Sequence, residues 1–579
     1  MTNQQQAVEQ PNVAYFCMEY GLDTKFNIYS GGLGILAGDH LKAAKEQEYP
    51  LVGIGLLWKR GYQKQEISED GQPYNAYPNY SYNFLEDTGV EVKLKIRNRA
   101  VYAKVWKVTE FDNADLYLLD TDLAKNHGDD QWITGKLYGG FSEERIAQEM
   151  VLGIGGVKAL RKLGLEVDLY HFNEGHAVFA GLELIRERMM DENFQLESAK
   201  KAQAKSDQSQ TDQKEKVKFA KAWEQVQEKI VFTTHTPVPE GNEKHEHRLL
   251  RYMEANQNLS IEEMVELGGA PFNMTTAGLR LAKGANGVSQ LHKEIAQQMW
   301  EEVDKGAPIQ GITNGVHRKT WVDKRMSNRF SEGSNQQIWD THQELKGELI
   351  DYVHQKTGTE LADDKLLIGF ARRAADYKRS SLLFSDLDLI EQYLEDGTIQ
   401  IIFSGKAHPL DDEGKTTITK ILEMADKYPA SVVFLEDYDI EIAKFLTRGC
   451  DLWLNNPRRP QEASGTSGIK AAMNGVLNLS ILDGWWPEVC RHGENGWAIS
   501  LTPKTAEDFT GTLKERLEKL DQYDRENLYE VLLNQVLPTY YSDQEQWIAM
   551  MKESHQDTVE EFSAARMIDD YYQLLYNKE

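Results

Sequence analysis

The chain has 579 residues, 40% of them hydrophobic, with 12 Trp and 26 Tyr, which excludes a disordered or fibrous protein. That length exceeds the size at which a single core keeps growing, so two large domains are expected. A formal net charge of −27 argues against nucleic acid or an anionic membrane as partner. No apolar run approaches the ~18 residues of a membrane helix. Cys17, Cys450 and Cys490 are too few and too scattered for a disulfide frame or a zinc site, and no metal is expected. The polar start, Met1–Asn12, lacks a basic region followed by an apolar core, so no signal peptide is expected and a reducing cytoplasm fits best.

Val13–Met18 reads as a strand, followed by Tyr29-Ser30-Gly31-Gly32-Leu33-Gly34 and a helix through Leu41 and Ala44. These glycines do not match G-x-G-x-x-G, so NAD binding is not supported. Leu169–Phe172 and Ile230–Thr233 are further strands, ending at His171/Asn173 and Thr234/His235. Between them lies a charged insertion, about 195–222, whose stretch Glu197–Lys216 is nearly free of apolar residues and reads as solvated insertion or helix extension. The second half is more regular. Apolar runs at Lys365–Ala371, Thr398–Ser404, Ser431–Leu435, Asp451–Leu454 and Val476–Leu482 alternate with helical patterns at Tyr377–Leu394, Thr416–Lys427, Ile440–Arg448 and Gly465–Met473. This rhythm predicts a parallel, doubly wound α/β sheet, with ligands beyond the carboxyl ends of its strands. Gln546–Glu579 reads as helical, anchored by Trp547, Met550, Met551, Phe562 and Met567. The predicted domains are 1–322 and 323–545, with 546–579 packing back across their junction.

Three loops suit anions. In Glu462-Ala463-Ser464-Gly465-Thr466-Ser467-Gly468-Ile469-Lys470, glycines and small hydroxyl residues lead into a helix whose N-terminus carries partial positive charge. Lys470, four residues after Thr466, shares its face. It is a solvated side chain, a counter-charge for phosphate, or the carrier of an aldehyde cofactor as a Schiff base. Arg372, Arg373, Lys378 and Arg379 gather four cations at a strand end, where guanidinium forks match phosphate oxygens. Gly31–Gly34 is the third loop. Together they offer more cations than one phosphate needs, which suggests two phosphate groups in one cleft. His235, at a strand end broken by prolines, is a structural or a catalytic histidine. No G-x-S-x-G or Walker loop appears.

With these motifs in view, the chain resembles the α-glucan phosphorylases (glycogen, starch and maltodextrin phosphorylases), in particular their short bacterial and archaeal branch. The resemblance runs in family order through Tyr15–Glu19, Tyr29–Lys42, Leu51–Gln65, His171–Ala177, Val231–Pro239, Asn286–Trp300, Ile312–Trp321, Ile368–Lys378, Gly405–Pro409 and Leu452–Trp486. It implies two Rossmann-like domains of the GT-B glycosyltransferase type with the active site in the interdomain cleft. It implies that Lys470 carries pyridoxal 5′-phosphate, whose phosphate is held around Gly32, Thr466 and Ser467, with Arg372 and Tyr438 also lining the cofactor. Arg373 and Lys378 match the residues that bind substrate phosphate. His235, Asn286, Glu462, Ser464, Gly465 and Glu19 match substrate positions, with Lys470, Arg373, Lys378 and His235 carrying catalysis. The implied reaction is reversible, retaining phosphorolysis of α-1,4-glucan to glucose 1-phosphate, the cofactor phosphate relaying a proton to or from inorganic phosphate. A homo-oligomer, dimer or higher, is also implied. Asp439 stands where longer relatives carry arginine, and the regulatory sites of those relatives do not carry over. The alternatives are a nucleotide-sugar glucosyltransferase of the same architecture, which needs no Lys470, and a non-catalytic glucan-binding protein.

Overall fold

The computed structural model describes residues 10–192, 194, 210–238 and 241–577. Part of the charged insertion, 195–209, and Pro239 of the histidine loop lie outside the described residues; Gln210–Gln227 is helical, with Phe219 and Trp223 buried. Two sheets carry the architecture. The strands in chain order are β1 (Val13–Phe16), β2 (Leu51–Leu56), β3 (Lys64–Ile67), β4 (Pro73–Ala76), β5 (Glu86–Ile96), β6 (Arg99–Val108), β7 (Leu116–Asp120), β8 (Leu169–Asn173), β9 (Ile230–Thr233), β10 (Lys244–His245), β11 (Phe272–Asn273), β12 (Gly284–Gly287) and β13 (Ile309–Gly311), followed by β14 (Leu366–Ala371), β15 (Ile399–Ser404), β16 (Val432–Leu435), β17 (Leu452–Asn455), β18 (Leu477–Ser480) and β19 (Gly496–Ala498).

The first sheet has nine strands in the order β13-β12-β9-β8-β1-β2-β7-β6-β5. From β13 to β7 every neighbour is parallel, and only the two pairings at the far edge, β7 with β6 and β6 with β5, are antiparallel. Those two strands were not anticipated. Their alternation is visible at Val92, Leu94 and Ile96, which are buried while Lys93 and Lys95 face water, as expected of a sheet wet on one side. β1 pairs with β2 on one flank and β8 on the other. The chain turns outward in both directions from this point, so a crevice opens past the ends of β1 and β8. Cys17–Glu19 and Asn173–His176 lie there.

The second sheet has six parallel strands in the order β16-β15-β14-β17-β18-β19. Its strands are buried on both faces, as in Leu-Leu-Ile-Gly-Phe-Ala of β14, because helices cover each side. The strand order reverses between β14 and β17, again opening a crevice. Arg372 follows β14 directly, and β17 ends on Asn455.

A cluster of Ile35, Trp321, Ile440, Ile469, Trp485, Trp486 and Phe562 joins elements of both sheets. The chain's last helices, Gln544–Thr558 and Ala564–Tyr571, connect the two cores. Trp547, Met550 and Met551 enter the second, and Met567 and Tyr571, with Tyr572 and Tyr576 of the π-helical turn that follows, the first. Each such side chain contributes about 1.5–3 kcal/mol on burial.

One predicted element is corrected. Tyr377–Leu394 is not a continuous helix: short 3₁₀ turns at Asp376–Lys378 and Leu382–Phe384 precede a helix over Leu387–Glu395. Arg379 breaks it, adopting a left-handed φ of 51°. Its guanidinium donates to Asn456 O and Pro457 O at 2.8 Å each and pairs with Asp521 and Asp524. The bend leaves Lys378 free to turn toward the site.

Candidate active site

The helix Thr466–Met473 is led by Gly465, whose φ of 87° favours glycine, and no side chain caps its N-terminus. Gly468 lets the helix lie against its sheet: a Cβ there would meet Asn478 Oδ1 at 2.7 Å. Lys470 is therefore carried into the interior, 5% exposed. Its Nζ sits 3.6 Å from the centre of the Trp321 ring and pairs with no carboxylate among the described residues. Burial lowers its pKa to about 8, with Asp39 opposing.

Arg372 pairs with Glu462 and with Asn455 Oδ1, linking the ends of β14 and β17. Lys378 Nζ reaches Glu462 Oε2 at 2.5 Å. Burial would raise the Glu462 carboxyl, but Arg372 and Lys378 hold it down at about 2. Asp483 accepts the Glu462 N–H at 2.9 Å and fixes the turn. Arg373 is exposed, with Tyr377, Tyr62 and Tyr138 as electrostatic neighbours and no carboxylate partner among the described residues. Ser464 Oγ and Arg372 Nε are buried with no protein partner.

On the first sheet, His235 Nε2 lies 2.6 Å from Asn173 Oδ1, and Glu174 accepts the His235 N–H at 2.6 Å and the Thr236 hydroxyl at 3.1 Å. Burial, with His292 and His176 nearby, lowers His235 to about 3, so it is neutral at physiological pH. Nε2–H donates to Asn173, which leaves Nδ1 an acceptor. Gly32 opens the helix Gly32–Glu46, again without a side-chain cap, and a Cβ there would meet nothing within 4 Å. Tyr438 packs with Tyr29 in the apolar cluster joining the sheets, and Asp439 caps the next helix through Ile442 N at 2.9 Å.

Two predicted substrate residues are otherwise engaged. Asn286 is fully buried; its Oδ1 accepts from Thr233, and its Nδ2 donates to Gly287 O and Tyr571 Oη, which leaves one lone pair of Oδ1 unused. Glu19 is 2% exposed and accepts from Ser30 N, Ser30 Oγ, Gly31 N and Tyr138 Oη. It anchors the first glycine loop, where a Cβ on Gly34 would strike Glu19 Oε2 at 2.6 Å.

Several residues at the site were not anticipated. Asn314, past the end of β13, has a buried Oδ1 without a protein partner, as has Thr234 Oγ1. Ser289 Oγ donates to Ala463 O at 2.7 Å, tying the two sheets' loops together. The usable signal for Asn314 is a polar Asn-Gly pair a few residues past a strand. Glu149, Glu243 and His245 lie close enough to share a cation, but Arg145 occupies the cluster, 2.8 Å from Glu243 and 3.5 Å from Glu149.

These residues suit pyridoxal phosphate. A desolvated, carboxylate-free lysine is the form that condenses with an aldehyde. Ser464 Oγ and Arg372 Nε are unpaired buried donors, the helix N-terminus is uncapped, and open space lies before Gly32, all of which fit a phosphate.

The sequence profile of the family described as "Carbohydrate phosphorylase" matches residues 324–536, the segment that holds β14 to β19 and Lys470. A maltodextrin phosphorylase of Thermococcus litoralis is 38% identical over 630 aligned residues, covering 98% of this chain and 71% of that protein. A glycogen phosphorylase of Aquifex aeolicus is 33% identical, with 98% and 86% covered. One of Mycobacterium tuberculosis is 34% identical, with 97% and 70% covered.

Proposed function

Because the chain belongs to the carbohydrate phosphorylases, we propose that it catalyses reversible, retaining phosphorolysis of α-1,4-glucan ends to glucose 1-phosphate. The fold reads as two Rossmann-like domains of the GT-B type, 1–322 and 323–545, with 546–579 spanning their junction and the reaction in the cleft between them. The observation that carries this reading is the meeting of Arg372 and Lys378 on Glu462 at the head of the helix that buries Lys470.

Lys470 would hold pyridoxal 5′-phosphate, with Gly32, Arg372, Tyr438, Thr466, Ser467 and the uncapped helix N-termini around it. When bound, that cofactor supplies a phosphate acid–base group beside the reacting phosphate. The chain's own residues do the rest. Arg373, free of carboxylates, and Lys378 bind inorganic phosphate and offset the repulsion between two phosphates. As an anion takes up the cations, Glu462 is released to accept a hydroxyl of the glucosyl unit. Neutral His235, held by Asn173 and Glu174, presents Nδ1 to another hydroxyl, and Ser464 and Gly465 close the same wall. Enclosure between the two sheets excludes water, favouring phosphorolysis over hydrolysis.

Arg373→Ala tests the assignment. The KM for phosphate should rise by at least about tenfold, a loss of about 1.4 kcal/mol, while glucan affinity holds. Equal weakening toward phosphate and glucan would refute the assigned role.

A further inference from the structure

The Lys470 ammonium rests on an indole face and not on a carboxylate. A ring attracts a cation through its quadrupole, and more strongly when both are desolvated. Trp321 is itself fixed from its far edge: its Nε1–H donates to both oxygens of Asp39, at 2.8 and 3.1 Å. Asp39 is 2% exposed and sits on the helix Gly32–Glu46 that begins at the first glycine loop. An N–H bonded to an anion pushes electron density into its ring and reinforces the pull on the lysine. The backbone is locked in the same register. Asn474 Nδ2 bridges Trp321 O at 3.2 Å and Lys470 O at 2.8 Å, and Arg448 Nε donates to Trp321 O at 3.0 Å.

The charged or titratable neighbours of Asp39 are Lys42, Lys444 and His317, besides Lys470 itself. Lys42 is directed to Leu22 O and Thr320, and His317 to Thr320 and Glu46. Among the described residues none of them pairs with Asp39, so its carboxylate serves the indole.

We propose that Asp39 is a positioning residue for the cofactor lysine, acting through Trp321 to hold Nζ of Lys470 on the ring face and to favour its protonated form, before and after linkage to an aldehyde. This rests on the pyridoxal phosphate reading above. Linkage forms as the neutral amine adds to the aldehyde carbon; both amine hydrogens leave with the carbonyl oxygen as water, and a C=N bond remains. No oxidant or reductant takes part. Burial depresses the lysine, and the Asp39 charge counters that depression, so deleting the charge lowers the nitrogen's proton affinity further.

Asp39→Asn keeps an oxygen to accept the indole N–H while removing the charge. Trp321→Phe keeps an aromatic face and removes the N–H. The parent and both variants, purified as holoenzymes reconstituted with pyridoxal phosphate, are titrated with pH while the cofactor absorbance is followed. The midpoint for proton loss from the linked nitrogen should fall by about one pH unit in Asp39→Asn, and by less in Trp321→Phe. Unchanged midpoints in both variants overturn the proposal even if their melting temperatures fall, since a purely structural role moves stability alone. A band that titrates in none of the three proteins overturns it as well. A parent that binds no pyridoxal phosphate overturns the cofactor reading, and this proposal with it.

Discussion

Replacing Glu462 by glutamine strips two buried cations of their shared counter-charge. Lys378 Nζ lies 2.5 Å from Glu462 Oε2, and Arg372 meets the same oxygen. Burial works against the carboxylate, yet the two cations hold it at about 2 rather than 4.5, a difference worth about 3 kcal/mol. Breaking a buried ion pair from one side costs about 3–5 kcal/mol by a separate route, so a loss of about 3 kcal/mol is expected at pH 7. The sign follows from the depressed pKa. The contribution is fully present above about pH 4.5 and is lost as pH falls through about 2, with about half remaining at pH 3. On the proposed reading phosphate competes with Glu462 for the same cations, so the variant should bind it about tenfold more tightly, about 1.4 kcal/mol, while glucan turnover falls. Thermal unfolding of parent and variant over a phosphate series, at pH 7 and pH 3, measures both effects. Equal melting temperatures at pH 7, or an equal phosphate response in the two proteins, would refute the reasoning.

The Lys470 amine, lowered to about 8 by burial, is neutral at pH 7 about 300 times more often than an ordinary lysine. Attachment of pyridoxal phosphate to cofactor-free protein should accelerate with pH and level off just above 8; a rise continuing past about 10 would contradict this. Asp483 is raised to about 7, because burial outweighs the N–H bonds from Glu462 and Gly484. Its stabilising contribution is present below about pH 4 and lost as pH rises through about 7, so Asp483→Asn should gain on the parent across that window by up to about 4 kcal/mol. A melting-temperature difference that is the same at pH 4 and pH 8 would count against it. Glu19→Gln should free the glycine loop by about 2 kcal/mol, seen as faster amide exchange at Ser30 and Gly31; unchanged exchange there would show that other contacts hold the loop.

The parallel sheet of the second half was legible because strands buried on both faces leave continuous apolar runs such as β14 and β15. Strand order was not, since burial patterns carry no record of which strands are neighbours; the crevice between β14 and β17 emerges only from topology. The basic loop was read as helix because the groups that bend it, Asp521, Asp524 and the carbonyls of Asn456 and Pro457, lie far along the chain from Arg379. At the site, residue type pointed to the cations and to Lys470 but told neither the burial of that lysine nor the partners of the cations. Asn286 and Glu19 have the chemistry of sugar ligands, and the sequence did not show the tertiary hydrogen bonds that both make, nor that Asn314 has a buried oxygen without a protein partner. The Trp321 face beneath Lys470 is a long-range contact that no local spacing announces.

We propose that Lys470 tethers the cofactor on which glucan phosphorolysis depends. The most direct test compares the parent with Lys470→Ala for cofactor absorbance and for release of glucose 1-phosphate from maltooligosaccharides in phosphate buffer. In Lys470→Ala the absorbance band and the phosphate-dependent release should disappear together. Full turnover by a cofactor-free Lys470→Ala protein would contradict it.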